Sequence, residues 1–332
     1  HLKGGMPNVW EHVCGYAALY TWPKRVSASA KSLSETFSEK RNKSSRKAGY
    51  LKCQASDALS LFPVLAFYVQ CVLLPTGLCV AACEAYIELA DIMDLLMASS
   101  LGVVPAEVLR IAVDRFLRTC VDAGWRQQMI PKFHWLIHLP RHLVRFGCLP
   151  TCWVHERKHR MVKRYATDIQ NTRVYERSVV GEVTCHYLAD IAHTTVFDLG
   201  IGLVMPKPAP RLIHAFMEQA LELRITQCET GRDARISDFA TCSRCDVALL
   251  REAGKLVACR VLAHTVCDGE PISLVTIFRL LRCNKAHGAA EWEESQKQTL
   301  VSTGDIECSV IHCRLTAGVR TLVPVHLRSR IN

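Results

Sequence analysis

The stretch LVACRVLAHTVCDGEPISLVTIFRLL, from Leu256 to Leu281, decides the second half of the fold. Val, Ile, Leu, Thr and Phe dominate it, and such side chains suit a pleated, half-buried surface. Asp268-Gly269 stands between its two apolar runs. An Asp-Gly pair tolerates the positive φ that a two-residue hairpin turn demands, so Leu256–Val266 and Ile272–Leu281 are predicted to be antiparallel strands joined there. Runs of the same texture lie at Asp246–Arg251, Ile306–Arg314 and Val319–Val325, and Ala253-Gly254 marks a further turn. Five short strands within about 85 residues predict a small antiparallel barrel or sandwich over 236–332.

Upstream the period changes from two to about 3.6. Ser56-Asp57 suits a helix start, and the apolar run behind it reaches Pro75. A second helix is predicted over Cys79–Ala98, with Ile87, Ala90, Ile92, Met93 and Leu96 at helical spacing. A third follows Pro105, carries Val108, Ile111, Ala112, Phe116 and Leu117 on one face, and stops at Gly124. Trp10–Trp22 reads as a short helix, and Ser27–Ala48 as a basic, partly flexible loop. Met205–Arg211 holds three prolines and reads as a stiff linker, followed by a short helix near Leu212–Arg224. The expected fold class is therefore α+β: a basic segment at 1–50, a helical domain at 51–205, linker and short helix at 206–235, and the β module at 236–332.

No charged residue stands between Ala58 and Cys83, a length sufficient for a membrane helix. Pro75-Thr76-Gly77 splits the run into two pieces of roughly a dozen residues, each better matched to a buried helix of a soluble bundle. No membrane partner is expected. The 17 cysteines lack the paired spacing of a secreted scaffold, and no signal peptide opens the chain. Reduced thiols in the nucleus or cytoplasm are expected, and secretion is not.

The formal net charge is +10, from 41 basic and 31 acidic residues, and it is concentrated in two windows. Trp22–Lys52 holds nine basic and two acidic residues, including Lys40, Arg41, Lys43, Arg46 and Lys47. Arg141–Arg177 holds nine basic and three acidic. Clustered positive charge is the electrostatic footprint of a surface that meets phosphates, so DNA is the expected partner.

The second window contains PKFHWLIHLPRHLVRFGCLPTCWVHERKHRMVKRYA, from Pro131 to Ala166. His155-Glu156-Arg157-Lys158-His159 satisfies the HExxH spacing of zinc peptidases. Arg157 and Lys158 would place two cations beside a dication, and no third ligand stands at a recognised spacing, so that reading is disfavoured. Cys242-Ser-Arg-Cys245 lacks a second Cys pair. Cys259, Cys267 and Cys283 follow singly with His264 nearby, so this pattern does not favour structural zinc. No glycine-rich phosphate loop of either common type is present.

His134, Leu136, His138, Pro140, Phe146, Gly147, Leu149, Glu156, Arg157, Lys158, His159 and Lys163 together resemble the C-terminal stretch of CACTA-type (En/Spm-like) DNA transposases. Cys148 departs from that pattern, where the family usually has Pro. The resemblance runs from about Leu51 to Leu188 and includes KCQASDALSLFPVL at Lys52–Leu65. It implies an RNase H-like, DDE-type nuclease core in which two Asp and one Glu hold two Mg²⁺ ions, a hard cation suited to carboxylate oxygens. Glu156 is the position carried over as the catalytic and metal-binding Glu. Arg157, Lys158, Arg160, Lys163 and Arg164 around it are expected to hold DNA phosphates. No Asp precedes Asp57. The two Asp-bearing strands are therefore expected to be missing, which leaves a DNA-binding transposase remnant that is catalytically incomplete by itself. Mg²⁺ is expected only if that region is supplied, and a full-length transposase or a second copy is the expected protein partner. The alternative is a non-enzymatic nucleic-acid or chromatin-binding protein with an SH3-like or similar β module.

Overall fold

The structure, a computed structural model, describes residues 9–24, 35–48, 52–53, 55–100, 102–149, 162–169, 173–193, 200–237 and 240–331. The chain is α+β. Its helices are α1 (Val9–Ala18), α2 (Glu39–Ala48), α3 (Ala55–Tyr68), α4 (Val80–Ser99), α5 (Ala106–Asp122), α6 (Pro131–Leu136) and α7 (Leu139–Phe146). After these come α8 (162–168), α9 (Tyr175–His193) and α10 (Arg211–Leu221). The strands are β1 (Tyr20–Thr21), β2 (Gly202–Val204), β3 (Lys207–Pro208), β4 (Cys228–Gly231), β5 (Asp233–Ser237), β6 (Ala240–Ser243) and β7 (Val247–Glu252). The long strands β8 (Lys255–Cys267), β9 (Glu270–Asn284) and β10 (Ala289–Ser302) precede β11 (Ile306–Ser309), β12 (His312–Leu315) and β13 (Gly318–Leu322).

The predicted hairpin forms as β8 and β9. Asp268 and Gly269 have φ of 48° and 91°, the two positive values of a type I′ turn. The strands it joins are longer than expected, however, and they build something larger than a small module. Ten strands form one antiparallel sheet in the order β1-β12-β13-β10-β9-β8-β4-β3, with β7 pairing both β8 and β11. The expected barrel is not found, because the sheet is open. β7 lies on one half of β8, with Val247 opposite Arg260, and β4 on the other half, with Cys228 opposite Cys267. Bulges at Val261/Ala263, Glu291/Trp292 and Glu294/Gln298 bend the long strands.

Burial explains the unbroken apolar runs. Val247 and Leu249 point into a cluster around Phe278 and Trp292, whereas Ala248 and Leu250 point into another around Val261, Val275 and Ile306. A strand covered on both faces needs no polar alternation. The second cluster is capped by Ile236 and Cys242 from the separate three-stranded sheet β2-β5-β6.

In the helical part the boundaries follow the local signals. Pro105 caps α5, Gly124 (φ 78°) follows it, and Gly77 (φ 70°) ends the helical run that continues from α3 through Pro75 and Thr76. The buried stripe of α5 is Leu109, Ala112, Val113, Phe116 and Cys120, packed on α4 and on Leu143 of α7. Val108 and Ile111, expected inside, are exposed. The loop expected over Ser27–Ala48 is, at Glu39–Ala48, helix α2. Its residues are mostly good helix formers, and Lys43 pairs with Glu39 one turn back at 2.7 Å.

The two parts of the chain share a core. Val13, Tyr20, Phe37, Leu61, Val64 and Tyr68 pack with Ala289, Cys313 and Leu322 of the sheet. Tyr20 sits opposite Cys313, so a two-residue strand just after α1 extends the edge at β12. Asp57–Thr76 is long and apolar enough to cross a membrane, by length and composition only, and 28% of it is buried. Leu59, Phe62, Pro63, Ala66 and Phe67 of this run line the cavity described next.

Candidate functional site

The first of two sites is basic. Helix α2 carries five basic residues and one acidic one. Phe37, 6% exposed, and Asn42, 5% exposed, anchor it: Asn42 Nδ2 donates to Phe37 O at 2.8 Å. Lys40, Arg41, Lys43 and Lys47 are all exposed. Lys40, Lys43 and Lys47 follow the i, i+3, i+7 spacing of one helical face. The Lys43 ammonium holds the Glu39 carboxyl below its ordinary range, through a hydrogen bond first and charge second. An exposed pair of this kind contributes little to stability. Arg46 lies on the helix, and its side chain is outside the described residues.

Lys163 and Arg164 are exposed on α8. That helix is tied to α9 by Tyr165 Oη and His186 Nδ1 at 3.2 Å. Tyr175 Oη also donates to Ala166 O at 2.9 Å. Glu156, Arg157, Lys158 and Arg160 lie outside the described residues, as do His155 and His159. Among the described residues no three metal-ligating groups come together.

The Cys242–Cys245 pair falls on β6 and the turn after it. Burial pushes the Cys242 thiol up to about 12. Cys267 faces Cys228 across the β4–β8 pairing, with 3.7 Å between sulfurs. His264 is fully buried and its Nδ1 lies 2.8 Å from Ser273 Oγ. Burial lowers its pKa to about 4, so it is a neutral core imidazole at physiological pH.

Sequence reasoning missed the second site altogether. A cavity of about 420 Å³ lies between α3, α4 and the sheet end near β11 and β13. Phe62, Phe67, Met97, Val310 and Leu322 give it apolar walls, and Asp91, Asp94 and Arg328 bring charge to it. Asp94, with its side chain 14% exposed, accepts from Val325 N at 2.9 Å. Its nearest cation, Arg328, stands 3.8 Å away, and that guanidinium is also 3.5 Å from Asp91. Arg328 Nε is meanwhile committed to Val323 O at 3.0 Å. Two carboxylates thus share one guanidinium at distances beyond a good hydrogen bond. Desolvation wins. Burial pushes Asp94 up to about 6 and raises Asp91 as well, against the opposing pull of Arg328 and Arg115. A carboxyl that titrates there can take up or release a proton near neutral pH. The available signal was Asp91 and Asp94 three residues apart on a helix whose charges, with Glu84 and Glu88, are all acidic.

The sign of the pH effect follows from these values. Unfolded, Asp94 loses its proton near 3.8; folded, it holds it to about 6. The folded state binds more protons between those limits, so this contribution is full below about 3.8 and is lost as pH rises through about 6. The loss is roughly 3 kcal/mol at 1.36 kcal/mol per unit. Urea denaturation of wild type and Asp94→Asn at about pH 4.5 and about pH 7.5 should show the variant gaining on wild type as pH rises. A stability difference that does not change with pH would exclude Asp94 as the source.

Comparison with protein-family models, curated proteins and solved structures found no match.

Proposed function

We propose that this chain binds nucleic acid through its phosphate backbone and does not cut DNA by itself. The observation that carries the reading is α2, a helix anchored by Phe37 and Asn42 that turns Lys40, Arg41, Lys43 and Lys47 to solvent. Lys40 to Lys47 spans about 10 Å of helix axis. Double-stranded DNA carries about six charges in that length, so one helix can meet several phosphates at once. Lys163 and Arg164 on α8 add a second basic patch, and the resemblance of Pro131–Ala166 to CACTA-type transposases supports the same partner.

In this reading Glu156 is a metal-ligating carboxylate inherited from a nuclease ancestor. It holds Mg²⁺ only where two further carboxylates are supplied by a full-length transposase or another chain. The site of action is the nucleus.

Fluorescence anisotropy with three duplexes of unrelated sequence tests the proposal. Phosphate contacts carry no sequence information, so the three dissociation constants should agree within a few-fold. No binding at low salt, or a preference above about a hundredfold for one duplex, would refute it.

A further inference from the structure

Helices α6 and α7 meet at a shallow break. Pro140 sits in the first turn of α7, where its missing N–H costs nothing, and the backbone before it stays helical. Ile137 has φ −60° and ψ −28°, and His138 has φ −86° and ψ −16°. His134 and His138 are therefore still four residues apart on one helical face, despite the proline. Both are exposed. Their Nε2 atoms are 3.1 Å apart, and the ring planes stand at 83°.

We propose that His134 and His138 form a two-imidazole clamp for a borderline divalent cation of the zinc, nickel or copper class. The geometry is the reason. At a metal–nitrogen distance of about 2.05 Å, nitrogens 3.1 Å apart subtend about 98° at the ion, between a tetragonal and a tetrahedral angle. The two Nε2 atoms already stand at hydrogen-bond distance from each other, so binding exchanges that hydrogen bond and its proton for the ion with little change in their separation. Neutral imidazole is the ligating form. The remaining coordination positions face solvent and are open to water or to a group from a partner. His142, next in the four-residue series, stacks on Phe146 with ring centroids 6.0 Å apart instead of turning to the pair. Arg141, one turn beyond His138, opposes the cation, but solvent and salt screen exposed charges. The clamp is independent of the nucleic-acid reading.

The test uses the full chain with buffered free zinc and diethylpyrocarbonate, which modifies unliganded imidazole, read peptide by peptide by mass spectrometry. At zinc about tenfold above the midpoint, labelling of His134 and His138 should fall about tenfold together, with His142 unchanged. In His134→Gln the protection of His138 should disappear, while His264, fully buried in the sheet, stays unlabelled when the fold is intact. The proposal is overturned if labelling of His134 and His138 does not respond to zinc. It is equally overturned if His138 stays protected in the His134→Gln chain.

Discussion

Trp292→Ala is expected to remove about 3–5 kcal/mol of stability, enough to unfold a marginal domain near physiological temperature. Trp292 is fully buried on β10, between β9 and β13, where it stands opposite Leu280 and Val319. Its side chain belongs to the cluster of Leu249, Leu256, Phe278, Leu327 and Ile331, drawn from four separate parts of the C-terminal half. Its Nε1 donates to Thr321 Oγ1 at 2.9 Å, so truncation also strips a buried hydroxyl of a partner. The neighbouring backbone leaves no room for relaxation. A Cβ at Gly318 would collide with the Trp292 carbonyl oxygen, so β13 is packed directly on β10 here. Urea denaturation followed by circular dichroism measures the loss. Trp292→Phe, which keeps most of the apolar area, should lose less than half as much. A loss below about 1 kcal/mol for the alanine variant would mean that this cluster does not hold the sheet.

Neutralising Lys40, Arg41, Lys43, Lys47, Lys163 and Arg164 to Gln should weaken DNA binding by two to three orders of magnitude at low salt. Each phosphate-bound cation contributes a log–log salt slope of about −0.9, and removing six such charges at once accounts for an effect of that size. The described side chains are exposed and their ion pairing is minimal, so the variant should keep wild-type stability within about 0.5 kcal/mol. That separates a weakened interface from a damaged fold. An unchanged affinity in a folded variant would place the interface elsewhere.

Local chemistry was legible; distant pairing was not. Asp268-Gly269 announces a turn that few residue pairs can make, and the structure has it with both φ values positive. Pro105 and Gly124 bracket α5 for equally local reasons. Strand β10 escaped because its sequence, AAEWEESQKQTLVS, lacks an apolar alternation. Buried Ala290 and Trp292 anchor its first half, and charge pairs form across the strands. Glu291 takes Arg282 and Arg320 at 2.6 Å each, and Arg260 reaches Glu294 at 2.7 Å. Pairs of that kind are seen only once the strands are side by side. The small barrel was an underestimate with the same origin. Tyr20 meets Cys313 across most of the chain, and no local pattern encodes that contact.

At the candidate sites the exposed lysines and arginines of α2 were legible as charge. Their helical arrangement was not, because Ser and Lys are common to helices and loops alike. The cleft was invisible for a different reason. Asp94 is unusual only because Val325 and Arg328, more than two hundred residues away, form its surroundings. His134 and His138 were visible as a spacing of four, but that they share a face follows only from the helical backbone at Ile137 and His138.

The central claim is phosphate-backbone binding by anchored basic helices. The log–log salt dependence of duplex affinity, measured on the full chain by anisotropy, tests it most directly. The predicted slope is about −5 or steeper, falling toward zero when the six basic residues are neutralised. A wild-type slope near zero, or a slope that the neutralised chain retains, would contradict it.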